Sequence, residues 1–202
     1  VRVGIVKYNA GNSFSVQNAL TRLGVESFVS DEGASLLSAD KIIFPGVGEA
    51  SSAMRYLRER KLDVVIGSFS QPVLGVCLGM QLLCKWSEEN DTTCIGIFPE
   101  EVIKIPRSSS DDSDKANLKV PHIGWNTLSE CKGELFQGVR KGDFVYFDHG
   151  YAVSTGSHTS AITEHGMRFS AGLEKENFFG LQFHPEKSGT VGEQILSNFL
   201  DL

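Results

Sequence analysis

Hydrophobic positions in the first half of the chain fall into short blocks whose internal spacing alternates between strand-like and helix-like. Arg2–Val6 is a β-rich run that breaks at Asn9-Ala10-Gly11-Asn12, where Asn and Gly suit a turn. Val16, Leu20 and Leu23 then recur at i, i+4 and i+7, which predicts a helix, and Gly24 supplies a left-handed cap at its end. Residues 27–30 and Lys41–Phe44 read as further strands, the second stopped by Pro45-Gly46-Val47-Gly48. Met54, Leu57 and Arg58 lie in a helical stretch. Residues 72–76 form a fourth strand, followed by a helical run over 79–86. This β-α-β-α rhythm predicts a mainly parallel sheet with helices on both faces.

The second half reads differently. Strand candidates at 102–105, 123–128, 145–147, 160–163 and 180–183 lie too close together for intervening helices, which predicts antiparallel additions to the sheet. The Ser- and Asp-rich stretch 108–115 reads as a solvated surface loop. A closing helix carries Val191, Ile195 and Phe199 on one face. With no repeat and no linker, residues 1–202 are expected to form one α/β domain.

Composition narrows the partners. A formal charge of −6 gives the chain no general attraction for phosphate backbones, so nucleic acid is not expected. The longest apolar runs, such as 42–44 and 73–76, fall far short of the roughly 20 residues a membrane span needs. The chain opens on a strand rather than a secretory leader, so a cytoplasmic protein without a membrane is expected. Cys77, Cys84, Cys94 and Cys131 are scattered, without a C-x-x-C pair or histidines at zinc-ligand spacing. Neither a structural disulfide, a metal site nor a cofactor is expected.

The most informative stretch is Gly75-Val76-Cys77-Leu78-Gly79, at a predicted strand-to-helix junction. Glycines flanking a nucleophile are what a sharp elbow needs, because side chains there would collide with the crowded turn. Such an elbow lifts Cys77 into a cleft and aims helix N–H groups at its sulfur, favouring the thiolate. The plainer reading is a buried cysteine at an ordinary turn. A base is available at His184-Pro185-Glu186. Pro185 biases His184 toward an extended backbone, which would put His184 and Glu186 on one side. The carboxylate could then orient the imidazole as base toward the thiol. Pro45-Gly46-Val47-Gly48 is a third element: a glycine turn whose N–H groups, with that of Leu78, would stabilise a tetrahedral oxyanion.

These motifs, in this order, resemble the class I (triad) glutamine amidotransferases. The resemblance covers nearly the whole chain, through Tyr8-Asn9-Ala10-Gly11-Asn12, Pro45-Gly46-Val47-Gly48, the elbow over 75–83, and His184-Pro185-Glu186-Lys187-Ser188. Pro121-His122-Ile123-Gly124-Trp125-Asn126 points more narrowly to the branch that feeds a (β/α)8-barrel cyclase making imidazole glycerol phosphate in histidine biosynthesis. The resemblance implies a flavodoxin-like fold and L-glutamine as substrate, hydrolysed through a Cys77 thioester with His184 as acid and base and Glu186 as orienting carboxylate. It implies oxyanion stabilisation by Gly46, Val47, Gly48 and Leu78, in a loop that in this family can require a peptide rearrangement. Gln81, Glu89, His149, Gly150 and Tyr151 match substrate-binding positions. His122, Trp125, Asn126, Tyr146 and Lys187 match a partner-facing segment near the ammonia exit, in a heterodimer with the cyclase.

Some residues depart from the pattern. Asp148-His149-Gly150 stands where relatives usually read Val-His-Ser or Val-His-Thr, and Lys7 where many carry Asp. The lost hydroxyl keeps two other readings open: a glutaminase serving another synthetase, such as a sugar-amidating enzyme, and a stand-alone γ-glutamyl cysteine hydrolase. A non-enzymatic binding module on the same fold is a third, against which the intact Cys77, His184 and Glu186 argue.

Overall fold

The computed structural model describes residues 1–9, 12–106 and 118–202. Ala10 and Gly11 of the predicted turn, and the predicted loop over 108–115, lie outside the described residues. In chain order the elements are β1 (Arg2–Val6), α1 (Ser13–Arg22), β2 (Glu26–Ser30), α2 (Gly33–Leu37), β3 (Lys41–Phe44), α3 (Ala50–Glu59), α4 (Leu62–Gly67), β4 (Val73–Val76) and α5 (Leu78–Leu83). They continue with β5 (Cys84–Ser87), β6 (Thr92–Thr93), β7 (Phe98–Lys104), β8 (His122–Thr127), β9 (Glu130–Cys131), β10 (Phe144–His149) and β11 (Tyr151–Val153). The last are β12 (Thr159–Glu164), β13 (Arg168–Lys175), β14 (Phe178–Leu181) and α6 (Gly189–Asp201).

Five strands, in the order β2-β1-β3-β4-β14, are mutually parallel. They are apolar almost throughout because both faces are covered. Alternate side chains feed two separate cores: Ile42, Phe44 and Val73 pack on one side with α3 and α4, while Val3, Ile5, Ile43 and Leu74 pack on the other with α1 and α6. Each fully buried Phe, such as Phe44 or Phe199, contributes about 2–3 kcal/mol of transfer free energy. The helix predicted from Val16, Leu20 and Leu23 ends as expected: beyond Arg22, Gly24 adopts φ 72°, and the Val25 N–H returns to the Leu20 carbonyl at 3.0 Å.

Beyond β14 the sheet turns antiparallel through β13 and β11 to β7, with β5 and β6 at its far end. The strand predicted over 180–183 is therefore not an addition. As β14 it lies parallel to β4 in the middle of the sheet, reached from β13 by a tight turn in which Glu176 takes φ 54°. The helix predicted over 79–86 also stops early, at Leu83, and Cys84–Ser87 becomes a strand paired with β7 and β6. Asn90 and Asp91, both at positive φ, form the hairpin turn that draws this segment out of the helix. The short helices α2 and α4 and the strand β13 carry too little pattern to be predicted.

A second, two-stranded sheet pairs β8 with β10 in antiparallel register, Trp125 opposite Tyr146 and His122 opposite His149. It rests on the same core as α6, through Val145 and Phe147. No helix of the described residues is long and apolar enough to cross a membrane. The four cysteines are free thiols.

Candidate active site

Adjacent strands β3 and β4 both end in glycine loops at the carboxyl edge of the sheet, where open α/β sheets place their ligands. After β4 the backbone of Cys77 sits at φ 54°, ψ −113°, a region that residues with side chains rarely adopt. The flanking glycines explain how it is held. A methyl group on Gly75 would lie 2.8 Å from the Met80 nitrogen, and one on Gly79 would overlap the Phe44 carbonyl. The Cys77 N–H is tied to the Leu181 carbonyl on β14 at 2.7 Å. The elbow is thus fixed by β3, β14 and α5 together.

The chain just beyond β14 carries the next groups. His184 Nδ1 and Glu186 Oε1 are 2.8 Å apart, both side chains almost wholly buried. His184 is extended as predicted, at φ −94°, ψ 98°, but the chain does not stay so: Pro185–Lys187 coil into a 3₁₀ turn, closed by the Lys187 N–H on the His184 carbonyl at 3.0 Å. The turn folds the carboxylate back under the imidazole. Burial pushes the His184 pKa down, but the nearby Cys77 and the hydrogen-bonded Glu186 carboxylate outweigh it and raise the value to about 10. The imidazole therefore holds its proton at neutral pH. Among the described residues its Nε2 has no aligned hydrogen-bond partner, and the thiol points instead to the Asp148 carbonyl at 3.6 Å.

One group beside the sulfur is absent from the residues predicted. Gln182, fully buried, directs its Nε2 at Cys77 Sγ over 3.7 Å and accepts from Gln81 Nε2 at 3.0 Å. It stands two residues before His184, so strand alternation puts both on one face of the chain; that spacing is the available signal. Gln81 also donates to the Tyr151 carbonyl at 2.9 Å.

The loop after β3 is arranged less favourably. The Leu78 N–H, predicted as an oxyanion donor, donates to the Gly46 carbonyl at 3.3 Å. A carbonyl oxygen occupies the place where negative charge would have to develop. Val47 and Gly48 line the adjoining cavity, of about 280 Å³, together with Cys77, Gln81, Glu89, Asp148, His149, Gly150 and Tyr151. Every predicted substrate-binding residue is thus gathered at one cleft. Burial raises the Glu89 pKa, and its Oε2 accepts from the Ala50 N–H at 2.8 Å.

The predicted partner-facing residues divide. Trp125 is 55% exposed on the outer face of β8, edge-on to Tyr146 at 5.9 Å, and Lys187 Nζ lies 5.5 Å from the Tyr146 ring centre. Ile123 and Phe144 are also exposed there. His122 is not part of that face. Strand alternation turns it inward, where it stacks on Phe147 and His165 and meets His149 Nε2 at 3.0 Å. Asn126 follows it inward, with Nδ2 3.2 Å from His122 Nε2. His149 Nδ1 bonds the Tyr151 carbonyl at 2.8 Å, so the chain runs consistently when both rings are neutral. Burial, reinforced for His122 by the neighbouring histidines, lowers their pKa values to about 3 for His122 and about 4 for His149. Among the described residues no cluster of His, Cys, Asp or Glu is arranged to hold a metal.

Comparison with known proteins bears on the family and the fold. The model of the class-I glutamine amidotransferase family matches residues 7–202. A Bacteroides fragilis protein named "Imidazole glycerol phosphate synthase subunit HisH" is 50% identical over 203 residues, covering all of both chains. Its namesake from Yersinia pseudotuberculosis is 44% identical over 99% of each. Among solved structures, a putative GMP synthase protein from Thermoplasma acidophilum shares the fold with a TM-score of 0.75 at 18% identity, over 100% of this chain and 92% of that one.

Proposed function

The chain belongs to the class-I glutamine amidotransferases, and from that premise we propose that Cys77, His184 and Glu186 hydrolyse glutamine for imidazole glycerol phosphate synthase. The observation that carries this reading is the strained Cys77 elbow together with a buried His184 imidazole that pairs with Glu186 at 2.8 Å and is held protonated by Glu186 and the nearby Cys77. The chain is the glutaminase subunit of that synthase and works with a partner subunit. Cys77 sulfur attacks the side-chain carboxamide carbon, and His184 gives its proton to the departing ammonia. Water then adds to the thioester while neutral His184 takes its proton, and glutamate leaves with the sulfur restored as thiolate. Glu89 receives the substrate α-ammonium, and the backbone of Gly150 and Tyr151 receives its carboxylate.

Free ammonia is protonated in neutral water and ceases to be a nucleophile, so it must pass to its consumer without release. A (β/α)8-barrel cyclase docked on Ile123, Trp125 and Tyr146 would receive it. The capped Leu78 donor favours this coupled reading over a stand-alone hydrolase, which needs its donor open at rest. In the reconstituted synthase, Cys77→Ala is expected to abolish glutamine-dependent synthesis while synthesis from ammonium salts persists. Loss of both activities in a folded variant would contradict the division of labour.

A further inference from the structure

Tyr8 has no part in the chemistry above, yet it is placed beside it. The residue follows β1, is 6% exposed, and packs its ring on Phe44 with centroids 5.3 Å apart. Its hydroxyl is buried and, among the described residues, has no hydrogen-bond partner. A buried hydroxyl without a partner is costly and calls for a reason. The reason lies in what it touches: a methyl group built on Gly46 would overlap the Tyr8 oxygen, so the hydroxyl stands directly against the Gly46 Cα. The carbonyl of that same residue caps the Leu78 N–H. Burial and the nearby Cys77 raise the Tyr8 pKa, so the hydroxyl keeps its proton and remains a donor.

We propose that Tyr8 is a positioning residue whose hydroxyl receives the Gly46 carbonyl when the loop turns, stabilising the conformation in which Leu78 N–H is free for the oxyanion. The resting chain leaves one donor unsatisfied; the turned loop satisfies it and frees the second donor for the transition state. The hydroxyl therefore biases a two-state peptide toward its productive form without touching substrate. Gly46 is required because any side chain would fill the space between its Cα and that hydroxyl.

The inference rests on the glutaminase reading, and the test separates the two. Tyr8→Phe removes the oxygen alone. In the complex, the variant is expected to lose roughly tenfold in kcat for glutamine, with KM little changed. A glutamine analogue bearing an aldehyde, which forms a tetrahedral adduct with Cys77, is expected to bind about tenfold more weakly. Ammonium-dependent synthesis should be unchanged, and the melting temperature unchanged or raised, because the resting state loses only an unsatisfied group. Unaltered kcat and adduct affinity, or parallel loss of stability and KM, would overturn the role of Tyr8 and leave the glutaminase reading intact. Absence of glutamine hydrolysis by the wild-type complex would overturn both.

Discussion

Two glycine loops leave neighbouring strands at the same edge of the sheet, and they are in opposite states. The Cys77 loop after β4 is finished: its backbone is strained at φ 54° and held by the close packing at Gly75 and Gly79 and by the Leu181 carbonyl. The Gly46 loop after β3 is unfinished, its carbonyl capping Leu78 while the Tyr8 hydroxyl stands unpaired. The backbone that carries the nucleophile is preorganised, whereas the stabiliser of the transition state waits on a change of conformation. Such a division suits an enzyme that should not release ammonia before its partner can use it.

Substitutions in and around the two loops probe this contrast. Removing the base should have the largest effect. His184→Asn is expected to lower glutamine turnover at least about 10⁴-fold, because the finished loop is useless without proton transfer, while ammonium-dependent synthesis is kept. Next is Glu186→Gln, expected to cost about 10²–10³-fold in kcat and to lower the His184 pKa from about 10, as read from its imidazole resonances. The linked stability has a definite sign. A raised imidazole pKa stabilises the fold fully below about 6.5 and is lost as pH rises through about 10. Glu186→Gln should flatten that loss in thermal melts.

Gly79→Ala addresses the finished loop itself. Its methyl group meets the backbone carbonyl of Phe44, which cannot swing aside, so about 3 kcal/mol of stability should be lost in urea unfolding. A neutral result would show the elbow to be less constrained than its contacts imply. The last test concerns the buried histidine pair His122 and His149, away from the chemistry itself. His122 and His149 are held neutral, with pKa values of about 3 and about 4, so the unfolded chain binds protons first as pH falls below about 6.5. Stability should fall toward those values by at most about 1.4 kcal/mol per pH unit for each ring. His122→Gln should make that acid slope shallower.

What is legible in the sequence follows the same division. The elbow can be read because its constraint is local: two glycines and a cysteine at fixed spacing encode a steric requirement. The α/β alternation and the closing helix are legible for the same reason, through Leu20, Ile195 and Phe199. Register is not. His122 and Trp125 belong to one motif, and strand alternation puts them on opposite faces, but only the packing of the β8–β10 pair on the core shows which face is buried. Gln182 lies 105 residues from Cys77, and their contact exists because β14 inserts beside β4. The orientation of the Gly46 peptide has no signature in residue types at all, since glycine accepts either setting.

A crystal structure of the complex carrying the tetrahedral aldehyde adduct on Cys77 would decide whether the two loops behave as described. The Gly46 carbonyl is expected to have left the Leu78 nitrogen, from which it now lies 3.3 Å away. Leu78 N–H should then donate to the adduct oxygen, while the Cys77 backbone keeps its φ near 54°. An adduct formed with the Gly46 carbonyl still on Leu78, or with the elbow rearranged in its place, would contradict the division between a finished and an unfinished loop.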